Sequence, residues 1–469
     1  MVSKLLKYKK SIAGKKIAVL GLGISNLPLI EFLYDMDAVI TVFDSSDEKK
    51  LSDRIEKIAN YKVQFSFGDN YLNYLNQGFD YIFRSPGIRP DLPQIIEAVA
   101  NGTILTSEME TFFELCPAQI FGVTGSDGKT TTTTLITEFL KEEGYKCWVG
   151  GNIGTPLLNK VKDISPDDKV ILELSSFQLM TFKISPDIAV ITNLSPNHLD
   201  YHLNYKEYID SKLNIYKYQF QKHSGAKCRL ILNFDDNDSK NLQKSIDEDI
   251  TDLKWFARET FIEKGASYKD GSLYLDNEMI IKRSEIRLLG DHNVENYLAA
   301  IAATQDYVSA KSIQAVSKRF TGVEHRLEFV REYNGVKYYN DSIASSPSRT
   351  SAGLKAFDQK VILLAGGKDK GISYYGFGEI IVEKCKKVIL IGATADLILN
   401  SINHYFESIC RPNSLEIFRC TTYEEMVSLS SKISEIGDVV LLSPASTSFD
   451  MFTNFEERGI IFKELVYKL

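Results

Sequence analysis

Short aliphatic and β-branched runs alternate with amphipathic stretches along the whole chain, and each run closes on a polar or glycine-containing turn. That alternation predicts parallel sheets covered by helices, an α/β fold. The strand-like runs are 16–20, 39–43 and 81–84, then 120–124, 170–174, 188–193 and 230–234, and finally 336–340, 361–365, 388–391 and 439–443. They fall into three groups. Breaks in the pattern near 106–110 and 321–325 divide the chain into three expected domains, 1–108, 109–322 and 323–469. The segments 132–140 and 205–216 have helical spacing, and the second places Tyr205, Tyr208, Ile209, Leu213 and Tyr216 on one apolar face, with Lys212 on that face too.

Composition narrows the class. With 44% hydrophobic and 25% charged residues, the chain has enough apolar material for cores and is not a disordered segment. At 469 residues it exceeds what one core usually supports. A net charge of -7 argues against nucleic-acid binding, so any anionic small substrate must be met by local cations, backbone amides or metal ions. Lys4, Lys7, Lys9 and Lys10 before the apolar run 17–24 mimic a signal peptide, but Asn26 and Pro28 interrupt the run and no small-residue cleavage site follows. No stretch approaches the roughly 20 apolar residues of a membrane span, and a cytoplasmic location is expected. Six cysteines without a CxxC pair read as packing thiols in a reducing compartment.

The chemistry begins at Gly122-Val123-Thr124-Gly125-Ser126-Asp127-Gly128-Lys129-Thr130-Thr131, placed after an apolar run and before a helical one. It reads as a phosphate-binding loop: glycines let backbone N–H groups converge on phosphate oxygens, Lys129 adds a charge and the next hydroxyl can ligate magnesium. The strict GxxxxGK[ST] spacing would put its first glycine at Val123; here it stands one place earlier. Glu173 closes a later run, suited either to a magnesium ion or to capping the next helix. His198 and His202, four apart, lack a third ligand for zinc. Lys212 is either a snorkelling lysine or a desolvated, reactive amine. Asn293 and Asn296 would cap a helix or read a nucleotide, and Arg326 suits bidentate phosphate binding. The turn Gly21-Leu22-Gly23-Ile24-Ser25-Asn26 has the form of a dinucleotide fold with Asp44 on the next strand, but Asn26 replaces the third glycine of the NAD fingerprint.

Together with Ser85-Pro86-Gly87, Gly150-Gly151-Asn152, Ser175-Ser176-Phe177-Gln178, Asn340-Asp341-Ser342-Ile343, Gly366-Gly367-Lys368-Asp369-Lys370 and 442–450, in this order over essentially the whole chain, these motifs resemble those of the Mur ligases. The resemblance implies a Rossmann-like N-terminal domain that binds UDP-sugar through Gly23, Ile24, Ser25, Asn26, Asp44, Ser85 and Gly87, helped by Asn152. It implies a central P-loop-type ATPase domain with a parallel sheet. ATP would be held by Gly125, Ser126, Asp127, Gly128, Lys129, Thr130, Thr131, Asn293, Asn296, Arg326 and Asp341. A Rossmann-like C-terminal domain would receive D-glutamate at Lys370, Ser448 and Phe455. Thr130, Glu173, His198 and a carbamylated Lys212 would serve two magnesium ions, with Lys129, His198 and Lys212 as catalytic residues.

The implied reaction is ATP-dependent addition of D-glutamate to UDP-N-acetylmuramoyl-L-alanine through an acyl phosphate, in peptidoglycan precursor synthesis, by a monomer. The Ser-Ser-Phe-Gln form is that of the D-glutamate-adding branch. Ile343 departs from the pattern, since many members carry lysine there, and spacing does not separate Lys368 from Lys370. Two rival readings are a sister ligase taking another amino acid and an ATP-binding nucleotide-sugar sensor.

Overall fold

A computed structural model describes residues 2–23, 25–199, 201–219, 228–288 and 290–469. Its chain divides into two compact units, the first comprising 1–283 and 294–316, the second 284–293 and 317–469.

The first unit holds two sheets. One contains β1 (Lys16–Leu20), β2 (Val39–Asp44), β3 (Val63–Phe67), β4 (Tyr81–Arg84) and β5 (Ile104–Thr106), all parallel, in the order β3-β2-β1-β4-β5. Both faces are covered, as a parallel sheet requires. Ile17, Val19 and Val42 point to one side, and Ala18, Leu20 and Phe43 to the other. The reversal of strand order at β1 opens a crevice at the carboxyl ends of β1 and β4, where ligands bind in such sheets.

The second sheet contains β6 (Gln119–Thr124), β7 (Cys147–Gly151), β8 (Lys169–Glu173), β9 (Ile188–Ile191), β10 (Cys228–Asn233), β11 (Thr251–Ala257), β12 (Ala266–Lys269), β13 (Ser272–Leu275) and β14 (Glu278–Lys282). Its order is β14-β13-β12-β11-β10-β9-β6-β8-β7, parallel except for the antiparallel ribbon β12-β13-β14. That ribbon departs from the purely parallel expectation. Its first turn is Asp270-Gly271 and its second Asp276-Asn277, all four residues at positive φ, the conformation that two-residue hairpin turns need. One apolar core runs through both sheets, from Ile17 and Phe83 to Ile120, Leu172 and Leu174.

The second unit holds β15 (Glu328–Tyr333), β16 (Val336–Asn340), β17 (Val361–Gly366), β18 (Cys385–Ile391), β19 (Glu416–Arg419) and β20 (Val439–Leu442), in the order β15-β16-β20-β17-β18-β19, with only β15 antiparallel. Alternate residues of β17 feed cores on opposite faces, Leu363 on one and Leu364 on the other.

All six cysteines are free thiols, and four are buried. Cys410 corrects the expectation of packing residues. It is exposed, at φ +52° just beyond the helix Ala395–Ser408, where its backbone turns the chain out of the helix. Among the described residues no helix is long and apolar enough to cross a membrane.

Candidate active site

The glycine loop expected to bind phosphate lies between β6 and the helix Lys129–Glu143. Gly125 has φ +148°, and a Cβ there would stand 1.9 Å from Thr192 Oγ1. Gly128, at φ +79°, leads directly into the helix. The loop is pinned from the neighbouring β9 end: Thr192 Oγ1 donates to the Asp127 carbonyl (2.5 Å), Asp127 N to Asn193 Oδ1 (2.9 Å), and Ser126 Oγ to the Ser195 carbonyl (2.8 Å). Asn296 Oδ1 accepts from Thr132 Oγ1 at 3.2 Å, so this side chain meets the loop helix. Asn293 opens the same helix, His292–Thr304.

Lys129 Nζ donates to the carbonyls of Gly125 (2.9 Å) and Ser126 (2.8 Å). Lys212 Nζ reaches the same Gly125 carbonyl at 2.7 Å from the helix Tyr205–Lys217. It is only 2% exposed and lies 4.7 Å from the Tyr208 ring centroid. Burial, and then the Lys129 charge, hold its amine well below the usual lysine range. The snorkelling alternative therefore fails, because the head group as well as the stem is buried.

Glu173 ends β8 in register with Val123 of β6 and Gly151 of β7. Asn152 Nδ2 donates to its Oε1 at 2.7 Å, while Oε2 is buried without a hydrogen-bond partner. The helix-capping alternative for Glu173 is not what is found: Ser175 and Gln178 cap the next helix with a reciprocal box. His198 has φ +54° and its ring lies 5.0 Å from that of Phe177. His202 is buried, with Nε2 2.9 Å from Ser176 Oγ, and burial lowers its pKa. It orders the loop rather than pairing with His198. The Thr130 hydroxyl, the unpartnered Glu173 oxygen and the His198 imidazole offer hard oxygen and nitrogen donors, which fit magnesium ligation.

At the first sheet, Asn26 Nδ2 donates to the carbonyls of Leu20 (3.2 Å) and Gly21 (2.7 Å) and to Ser85 Oγ (2.9 Å). Asn26 thus ties the β1 turn to the Ser-Pro-Gly turn. Asp44 accepts from the backbone of Leu22 and Ser46, both at 2.8 Å. A Cβ on Gly23 or Gly87 would meet nothing within 4 Å, so both turns are open on their ligand side. Ile24 lies outside the described residues.

Sequence reasoning missed Arg84. This fully buried side chain donates to the carbonyls of Pro86 (3.0 Å), Ile88 (2.6 Å) and Phe177 (2.9 Å), joining the Ser-Pro-Gly turn to the Ser-Ser-Phe-Gln turn. Tyr201 supports the same junction by donating to the Pro86 carbonyl at 2.9 Å. The place of Arg84 at a strand end did not signal this.

In the second unit three loops that carry expected site residues follow the neighbouring strands β16, β20 and β17. Asp341 is buried, accepts from Ser443 Oγ at 2.7 Å and from Leu327 N at 3.3 Å, and is pushed up to about 7 by burial. Arg326 stands between His325 (φ +64°) and Leu327 (φ +45°). Glu324, His325 and Glu328 are spaced like metal ligands, but Lys463 Nζ already bonds both carboxylates, at 2.5 and 3.0 Å. Arg458, fully buried, fastens two loops by donating to the Ser342 (2.7 Å) and Ser446 (3.0 Å) carbonyls. Ser448 is buried, and the Phe455 carbonyl accepts from Ser342 Oγ at 2.8 Å. Lys370 is exposed on the loop after β17.

Three family models match in succession: Mur ligase MurD-like, N-terminal domain, over 15–107; Mur ligase middle domain, over 123–304; and Mur ligase, glutamate ligase domain, over 325–446. The UDP-N-acetylmuramoylalanine–D-glutamate ligase of Ruminiclostridium cellulolyticum is 53% identical over 473 residues, with 100% of both chains covered. The chain belongs to the Mur ligase family. The enzyme of the same name from Clostridium acetobutylicum is 49% identical, covering 99% of this Mur ligase and 98% of that protein. Among solved structures, the UDP-N-acetylmuramate-alanine ligase of Thermotoga maritima has a TM-score of 0.56 at 16% identity, covering 97% of this chain and 99% of its own. MurF of Acinetobacter baumannii has a TM-score of 0.58 at 14% identity, covering 83% and 91%. These structures share the fold.

Proposed function

We propose that this Mur ligase joins D-glutamate to UDP-N-acetylmuramoyl-L-alanine with ATP as co-substrate, releasing ADP and phosphate, as a step of peptidoglycan precursor synthesis. The observation that carries the reading is the convergence of two lysine amines on the Gly125 carbonyl, in a phosphate loop whose sheet also presents the unpartnered Glu173 oxygen. A site so built is short of anionic oxygens, and ATP with its metal supplies them.

In the first step a carboxylate oxygen of the L-alanyl group attacks the γ-phosphorus of ATP, and the bond to the β-phosphate oxygen breaks with ADP as leaving group. The D-glutamate amine, as free base, then attacks the acyl carbon. The tetrahedral intermediate loses phosphate and a proton and leaves the amide. Lys129 and the backbone N–H groups of residues 125–131 bear the charge of the transferring phosphoryl group. Glu173, Thr130, His198 and Lys212 would hold two magnesium ions, which when bound neutralise charge on the phosphoryl oxygens. Burial and the Lys129 charge hold the Lys212 pKa well below the usual lysine range, which favours the free amine. Its nitrogen can bond the carbon of carbon dioxide and lose a proton, giving a carbamate with carboxylate-like oxygens.

Gly23, Ile24, Ser25, Asp44, Ser85, Gly87 and Asn152 are the proposed UDP-sugar contacts, with Asn26 shaping the turn. Within the second unit Arg326 and Asp341 are assigned to ATP, and Lys370, Ser448 and Phe455 to D-glutamate; Asn293 and Asn296 are assigned to the nucleotide. Lys370 is preferred over Lys368 because the charges of Arg349 and Arg458 act on it. Domains at 1–108, 109–322 and 323–469, a monomeric state and a cytoplasmic location complete the reading.

The test is phosphate release from ATP with magnesium and UDP-N-acetylmuramoyl-L-alanine, comparing D-glutamate with L-glutamate, L-alanine and meso-diaminopimelate. Release dependent on D-glutamate alone is expected. Release with another amino acid instead would reassign the substrate, and none at all would favour a sensor.

A further inference from the structure

Two cations in the loops that follow β16 and β17 form no ion pair among the described residues. Lys370 is exposed and hydrogen-bonds no described residue. Arg349, also exposed, lies in the first turn of the helix Pro347–Lys355 and reaches back over it, where Nη1 makes one long hydrogen bond to the Ile343 carbonyl at 3.5 Å. The rest of its donor fork is open to solvent.

The nearby acids form no ion pair with these cations, although the Arg349 charge acts on the buried Asp341. Asp341 is buried and engaged by Ser443 and Leu327. Asp369 accepts from Gly371 N at 2.8 Å, closing its own turn. Asp450 acts on Arg458, which also lies beneath the loops with its side chain on carbonyls and a hydroxyl. Partial desolvation, then the charges of Arg349 and Arg458, hold the amine of the exposed Lys370 below the usual lysine range, so the cations crowd one another. The next residue, Thr350, ties the Arg349 helix to the loop after β20 through Ser443 Oγ (3.0 Å), so the guanidinium is mounted on a fixed support.

We infer that Arg349 is a specificity-determining residue of the amino-acid subsite, its guanidinium taking one carboxylate of the incoming dicarboxylic amino acid while Lys370 takes the other. The inference rests on the ligase reading above. A planar fork matches a carboxylate with two parallel hydrogen bonds, whereas an ammonium offers a point charge, so the pair suits a ligand with two separated carboxylates. Ile343, in the same loop cluster, contributes no charge, and Arg349, six residues further along in the helix that follows, supplies a cation.

The experiment is steady-state phosphate release by full-length Arg349→Met and Arg349→Lys variants with magnesium, ATP and UDP-N-acetylmuramoyl-L-alanine, varying D-glutamate and, separately, D-glutamine. Loss of a charge-assisted bidentate contact should raise the KM for D-glutamate roughly 10- to 100-fold in Arg349→Met. The preference for D-glutamate over D-glutamine should narrow by a similar factor, the KM for ATP should stay within about twofold, and Arg349→Lys should recover part of the loss. A merely structural role would not move the preference between two amino acids. Unchanged D-glutamate KM and preference, or a parallel rise in the KM for ATP, overturns the assignment of Arg349 alone. A wild-type protein that releases no phosphate with D-glutamate overturns the ligase reading and this inference with it.

Discussion

Replacing Glu108 by glutamine should make folding stability less dependent on pH, in a direction the structure specifies. Glu108 opens the helix Glu108–Leu115, is 6% exposed, and has an Oε1 atom buried without a hydrogen-bond partner. Burial raises its pKa from 4.5 to about 7, only partly opposed by the Leu158 backbone. The folded state therefore holds this proton more tightly than the unfolded chain does. The stability so gained is complete below pH 4.5, declines as pH rises, and is gone above about 7. At about 1.36 kcal/mol per pKa unit, the shift corresponds to about 3 kcal/mol. The Glu108→Gln variant has nothing to titrate, so its stability relative to wild type should rise by about 3 kcal/mol between pH 4.5 and pH 8. Glu110, also pushed up to about 7, is present in both proteins and cancels. Urea unfolding of the two proteins at intervals across this range measures the difference. A constant offset between them at every pH would refute the reasoning, whatever its size, because a packing effect of the amide does not titrate.

Lys212→Ala should lower turnover by at least about 100-fold, and formate or acetate should restore part of it by standing in for the carbamate oxygens; full activity without rescue would remove Lys212 from the mechanism. Gly125→Ala should abolish ATP-dependent phosphate release and lower stability by more than about 1 kcal/mol, since a Cβ would lie 1.9 Å from Thr192 Oγ1, and a wild-type melting temperature with normal turnover would contradict the clash. Asn152→Ala leaves Glu173 Oε1 without its 2.7 Å donor, and the magnesium concentration for half-maximal activity should change several-fold while the unfolding midpoint moves little.

The strands that carry the site were legible because each is a short β-branched run ending in a polar turn, and β1, β4 and β16 match their expected bounds. The glycine loop between β6 and its helix was legible as a turn, since Gly125 and Gly128 stand where the backbone takes positive φ. Strand β7 was harder, because Gly150-Gly151 resembles a loop when read locally. The strand needs glycine there: a Cβ on Gly151 would come 2.1 Å from the Glu173 carbonyl. The ribbon β12-β13-β14 did leave a local signal in Asp270-Gly271, which only a search for hairpin turns would have found. Arg84 left none. An arginine at the end of a strand looks solvent-exposed until the fold brings the Phe177 carbonyl, 93 residues away, to its guanidinium.

The same distinction explains how a chain of net charge -7 can handle substrates that are all anions. Its cations are not gathered into a basic surface that composition would reveal. They are placed against backbone carbonyls, Lys129 at Gly125, Arg84 at Pro86 and Phe177, Arg458 at Ser342 and Ser446. A carbonyl satisfies a hydrogen bond without neutralising a charge, so each such cation keeps its electrostatic reach where water is scarce. Lys212 shares the Gly125 carbonyl with Lys129, and burial, then the Lys129 charge, lowers the Lys212 pKa well below the usual lysine range. In the proposed reaction Lys129 is the cation for phosphate and Lys212 the amine that a small electrophile would modify. That proposed division of roles rests on burial and on the neighbouring Lys129 charge, which make two residues of the same type 83 positions apart chemically different.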